Sequence, residues 1–266
     1  MSNDLVRRIA VTASAVLCAV ATAFGVGALG GTEVSEAAGG ALAADATLIA
    51  PGSGAFGIWS VIYLGLAGYV VWQWLPVSAT ARARAVGWWA AASMLLNGAW
   101  LLTIQLGWLW ASVAVILALA VVLKVVLARL TAHRPAGRAE LVVVDGTFGL
   151  YLGWVAVATC ANLAAALVAA GMPPTGLLAE AITIFILIAV LVLAAVYARS
   201  YGARFAIAAA MAWGVGWIAV ARLTGEPSAP SVGVTAVAVA VVILVVTVLM
   251  RAALRRTRSG TGSPPA

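Results

Sequence analysis

"VGWWAAASMLLNGAWLLTIQLGWLWASVAVILALAVVLKVVLARL", residues 86–130, continues for 45 residues with a single lysine and one arginine near its end. A helix needs about 20 residues to cross the roughly 30 Å hydrocarbon core of a bilayer. The stretch is too long for one span and reads as two, at 86–107 and 109–130, turned back on each other at "GWLW". Outward from this hairpin, six further apolar runs of spanning length lie at about 6–30, 55–75, 145–171, 180–199, 203–223 and 232–252. Of the 266 residues, 65% are hydrophobic and 9% charged, too few charges to cover a soluble surface. The fold class is an all-α polytopic membrane helix bundle of about eight transmembrane helices, with the lipid bilayer as its solvent.

The formal charge of +7 does not point to a nucleic-acid partner, because the arginines sit in short clusters between apolar runs. Arg7 and Arg8 precede the first span, and Arg82 and Arg84 separate the second from the third. Arg134 and Arg138 separate the fourth from the fifth, Arg199 and Arg204 the sixth from the seventh, and Arg251, Arg255, Arg256 and Arg258 follow the eighth. The intervening loops carry Glu33, Glu36, Asp45, Glu180 and Glu226, and Arg222 alone breaks the alternation. By the positive-inside rule both termini are expected on the cytoplasmic side. The first apolar run is longer than the core of a signal peptide, which favours a retained span. The tail at 253–266 is basic, then rich in Gly, Ser and Pro, and is expected to be disordered and cytoplasmic.

Several chemistries are excluded by inventory. The only cysteines, Cys18 and Cys160, lie in separate apolar runs, and His133 is the only histidine. A His-rich metal site and bis-histidine haem ligation within one chain are ruled out, and no catalytic triad order or phosphate-binding glycine loop occurs. Neither a catalytic residue nor a metal ligand is assigned.

What remains is a set of polar and aromatic residues inside the spans. Asn97 and Gln105 lie in the third, Asn162 in the fifth and Asp145 at the edge of the fifth. Such residues face the bundle, either as interhelical hydrogen-bonding glue or as part of a site. Asp145 reads as a cap or hydrated end of its span. Tyr151, Trp154, Ala158 and Asn162 follow i, i+3, i+7, i+11, which makes one stripe. At 1.5 Å per residue, Trp100 and Asn162 share the outer half of the membrane with Phe56, Trp59 and Tyr63 of the second span. Aromatic rings converging with a few amides suit a pocket for a flat apolar ligand. Trp72, Trp74, Trp88, Trp89, Trp108 and Trp110 fall near the interfaces and read as belt residues. The longest loop, 31–54, covers the same outer face as a lid or a disordered connector.

At these residues a resemblance enters. "APGSGAFGIWSVIYLGLAGYVVWQ" (50–73), "LLNGAW" (95–100) and "LYLGWVAVATCANLAAAL" (150–167) resemble, in order, the second-, third- and fifth-span signatures of the tryptophan-rich sensory protein / translocator protein (TspO/MBR) family. They assign 1–172 to a five-helix membrane domain of that type. The three additional helices at 173–252 look like those of longer bacterial members, with "RSYGARFAIAAAMAWGVGW" (199–217) resembling their W-A-x-x-G segment. Short members have an outer loop rich in Trp and Pro, whereas "GTEVSEAAGGALAADATLIAPGSG" (31–54) has no Trp and one Pro.

The resemblance implies binding of a porphyrin or haem as a non-covalent ligand, or a sterol-like molecule, in a pocket open toward the loop. Carried onto matching positions, it implies Trp59, Tyr63, Asn97, Trp100, Tyr151, Trp154, Ala158 and Asn162 as ligand-binding residues. "LAAVYAR" (193–199) fits the loose sterol pattern, which many spans match by chance. The leading expectation is a ligand-binding or sensory protein acting by binding rather than turnover. The alternatives are a small-molecule transporter and a light-dependent porphyrin-degrading enzyme. Small residues such as Gly214 and Gly216 allow close helix approach, within the chain or across a homodimer.

Overall fold

In the computed structural model, which describes residues 2–260, eight helices are long and apolar enough to cross a membrane. We number them α1 (Ser2–Gly25), α2 (Ile58–Trp74), α3 (Ala81–Gln105), α4 (Leu109–Ala132), α5 (Thr147–Ala169), α6 (Leu177–Ser200), α7 (Phe205–Thr224) and α8 (Pro230–Gly260). Among the described residues there is no strand. The hairpin of 86–130 forms as expected. Helix α3 stops at Gln105, Gly107 takes φ +71°, and Trp108 precedes α4. That left-handed conformation is open to glycine at little cost, which lets the chain reverse in so few residues.

One side of each span is buried and the other meets lipid. In α4 the buried side chains Val113, Ile116, Leu119, Leu123, Val126, Leu127 and Leu130 recur at helical spacing, while Leu117 and Val121 point outward. Helices α1, α3, α4 and α5 pack in succession, and α2 closes the ring between α5 and α1. Helix α7 lies along α5, α8 along α7, and α6 along α8. The α5–α7 contact is close because glycines line it. A Cβ on Gly153 would lie 2.3 Å from the carbonyl oxygen of Ile207, and one on Gly214 would lie 3.0 Å from Val157. Without much hydrophobic drive between helices in lipid, such close backbone approach supplies the attraction. Gly214 is therefore used within the chain.

At the arginine-rich end the structure departs from expectation. The fifth span begins at Arg138, and a π-helical turn over Leu141–Gly146 runs into α5. This turn carries Asp145 inward, so it does not act as a hydrated edge. Asp145 is 3% exposed, accepts from Arg82 Nη2 at 2.7 and 2.8 Å, and also accepts from Arg204. Arg82 in turn donates to Glu140 at 2.8 Å and to the carbonyls of Leu130 and His133. The cluster ties α3, the end of α4, α5 and the start of α7 together. The basic tail differs too, because α8 remains helical to Gly260 rather than ending near residue 252. The expectation for 261–266 lies outside the described residues.

Candidate functional site

At the opposite end, five rings from three helices meet. Trp59 of α2 is stacked on Tyr63 at 5.2 Å between ring centres and on Trp100 of α3 at 6.4 Å. It meets Tyr151 and Trp154 of α5 edge-on at 5.9 and 6.1 Å. Phe56, in the short 3-10 turn Ser53–Gly57 that leads into α2, adds an edge contact to Trp154 at 6.1 Å. Stacked and edge-on pairs each contribute about 0.5–1.5 kcal/mol beyond the area they bury. These contacts hold the rings together as one packed unit.

Two asparagines hold this cluster in register. Asn162 accepts from the Trp100 indole N–H at 2.7 Å and donates to Ser112 Oγ of α4 at 2.8 Å. Asn97 donates to the Tyr63 hydroxyl at 3.0 Å and lies 3.4 Å from the Cys18 sulfur of α1. The Tyr151 hydroxyl donates to the Ser93 carbonyl at 3.2 Å.

Over the cluster lies the long connection, ordered as a lid. Thr47, Leu48, Ile49 and Ala50 are buried in it. One edge is pinned to α3, where the Gln105 side chain exchanges two hydrogen bonds with the backbone of Thr32, at 2.6 and 3.0 Å. The other edge is pinned to α7. Gly52 N–H donates to Trp217 O at 3.0 Å, Trp213 Nε1 donates to Ala55 O at 3.0 Å, and the buried Arg222 guanidinium donates to Ala44 O, with a second bond to Pro227 O in the connection after α7. A Cβ on Gly54 would lie 2.2 Å from the Trp217 ring, so lid and indole fit only because that side chain is missing.

Between lid and rings is a cavity of about 30 Å³, lined by Thr47, Pro51, Phe56, Trp59, Trp100, Trp154, Ala158 and Asn162, among others. Two of its lining residues carry buried polar atoms without a hydrogen-bond partner, the Trp154 indole N–H and the Thr47 hydroxyl. Unmet donors of this kind in a buried site call for an explanation. A second cavity of about 350 Å³ adjoins it, shares Phe56 and Trp59, and is bounded by Thr22, Glu33, Val34 and Tyr63.

Of the eight residues implied as ligand-binding, the structure brings Trp59, Trp100, Trp154, Ala158 and Asn162 to the smaller cavity and Tyr63 to the larger. Asn97 and Tyr151, both 0% exposed, line neither and hold neighbouring side chains instead. Trp74, 43% exposed, sits at the surface as a belt residue should, with its N–H on Thr12. Trp72 does not, because it is buried and stacked on Tyr69. In the sterol-like pattern, Tyr197 is buried against Tyr201.

Spacing did not find Ser112, Trp213, Trp217 or the lid residues. Arg222 was signalled, since it is the arginine that breaks the charge alternation. A family model described as "TSPO-like protein" matches residues 8–249, so the match reaches from the first span into the eighth. No curated protein and no solved structure matches the chain.

Proposed function

The chain belongs to the TSPO-like family, and on that premise we propose that it is a membrane ligand-binding protein whose site lies between the Trp59 ring cluster and the lid. The ligand class is planar and largely apolar with a polar edge, a porphyrin being the leading candidate. The observation that carries this reading is the pairing of ring faces with unmet polar groups in one cavity. Trp59 and Trp100, stacked on each other, both line the cavity, and Trp154 N–H and Thr47 OH have no protein partner. A ligand carboxylate or carbonyl would accept from the indole.

With the lid closed, about 30 Å³ leaves no room for a tetrapyrrole. Binding therefore requires displacement of residues 41–51, with Phe56 and Trp59 moving to join the two cavities. The larger space, about 350 Å³, already falls in the ~300–1,000 Å³ range of small-molecule sites. A proton-coupled transport role centred on Asp145 has less support, because its oxygens are taken up by guanidinium groups that tie helices together.

The test is a titration of the detergent-purified protein with protoporphyrin IX, in the dark, following tryptophan fluorescence. Saturable quenching is expected, weakened about tenfold in Trp59→Leu, equivalent to roughly 1.4 kcal/mol. Trp74→Leu, at the lipid surface, should bind as wild type. Equal quenching of all three proteins would refute the assignment.

A further inference from the structure

A separate groove lies on the lipid-facing side at the arginine-rich end. It has a volume of about 530 Å³ and runs between α2, the π turn before α5, the start of α7 and the end of α8. Its walls are apolar, with Val61, Leu64 and Gly68 on one side and Val142 and Leu150 on the other. Leu64 is 75% exposed and Val142 69%, so both walls face hydrocarbon. Its charged end is formed by Asp145, Arg204 and Arg251.

The charges at that end do not balance. Asp145 is bound by Arg82 and Arg204, and Glu140 is bound by Arg82 and by the Ala136 backbone N–H. Arg82, Arg204 and Arg251 thus face two carboxylates, and both of those are engaged away from Arg251. Among the described residues Arg251 forms no ion pair. It donates to the Ala203 carbonyl at 3.1 Å and lies over the Phe205 ring at 4.8 Å, and its Nε is buried without a partner. A guanidinium left with one unmatched charge beside lipid attracts an anion, and its planar fork matches a phosphodiester.

We propose that this groove seats one anionic phospholipid, with the headgroup phosphate on Arg251 and an acyl chain laid along Leu64, Gly68 and Val142. Charge complementarity selects the occupant. A zwitterionic lipid brings a further cation to a site where guanidinium groups already outnumber carboxylates and Arg255 acts on Arg251 as well, whereas phosphatidylglycerol brings a net negative charge. Basic pockets between helices at the anionic face of a membrane bind headgroups in this way. The groove also has room for the chain. A Cβ on Gly68 would only just touch Val143, at 3.6 Å, so the glycine leaves the floor of the groove low. The proposal is independent of the site beneath the lid, which is built from other residues at the other end of the bundle.

The test uses the delipidated full-length protein in detergent, with phosphatidylglycerol and phosphatidylcholine of identical acyl chains, read by native mass spectrometry and by the thermal midpoint. One phosphatidylglycerol should remain bound under activation that strips phosphatidylcholine. Arg251→Gln should reduce its retention about fivefold, the effect expected of one cationic side chain on an anionic headgroup, and Arg251→Lys should restore part of it. Leu64→Trp fills the groove without touching the guanidinium, and its exposed position keeps folding out of the question. It should lower retention while leaving Arg251 in place. Equal retention of the two lipids, or undiminished phosphatidylglycerol binding in Leu64→Trp, overturns the proposal. So does stabilisation by soluble glycerol phosphate equal to that by the lipid, which would mark an anion site without a lipid.

Discussion

At Asn162 a single amide joins three helices, accepting from Trp100 of α3 and donating to Ser112 of α4. Replacing it with alanine strands a buried indole N–H and removes the donor to a buried hydroxyl. Asn162→Ala is therefore expected to lower stability by about 1–2 kcal/mol, read from thermal unfolding in detergent; an unchanged midpoint would mean these bonds contribute nothing net. Thr47 gives the opposite sign. Its buried hydroxyl has no partner, so Thr47→Val, close in shape, should stabilise the protein by about 1 kcal/mol. The same change should weaken protoporphyrin IX binding, because it removes a polar group from the cavity wall. Calorimetry of the ligand-free protein and the fluorescence titration check the two halves. Sequence singled out Asn162 because an amide inside a span is conspicuous. Ser112 was not legible, since a serine is cheap in a helix and spacing alone does not name its partner across the bundle.

Among the elements, the anchoring of the lid and the π turn were the least foreseeable. The lid has no periodicity, and what orders it comes from α3 and α7, far away in the chain. Gln105 stood out as a polar residue inside a span, and Arg222 as a cation on the acidic side, yet neither observation revealed that it binds lid backbone. Held at its own helix end by the Pro227 carbonyl, Arg222 latches the lid through the Ala44 carbonyl. Arg222→Ala should raise amide hydrogen exchange at 41–51 while leaving α5 protected, because its partners are the carbonyls of Ala44 and Pro227 and not groups of α5. Unaltered exchange in that segment would remove Arg222 from the account. In the π turn, the additional backbone residue rotates Asp145 from the expected hydrated edge into the bundle. Breaking a buried ion pair on one side costs roughly 3–5 kcal/mol. Asp145→Asn should therefore show a large drop in thermal midpoint, with any loss of ligand binding following from unfolding. A normal midpoint with lost function would instead reopen a transport role.

On the scale of the whole molecule, the eight spans and their order were legible because hydrophobic length and loop charge are strong, local signals. Their arrangement was not. The sequence divides naturally near residue 172, yet α7 lies directly along α5 and holds the lid of the ring formed by the first five helices. Helix α7 thus has a structural task, which is to hold the lid over the rings of the first five helices. Closure by α7 has a kinetic consequence. If the ligand enters only when the lid lifts, weakening the latch raises the population of the open state and speeds association. The most direct test is stopped-flow mixing of protoporphyrin IX with wild type and with Arg222→Ala, following tryptophan quenching. Association is expected to be about fivefold faster in the variant, corresponding to roughly 1 kcal/mol removed from the closed state. Identical association rates in two equally folded proteins would contradict it.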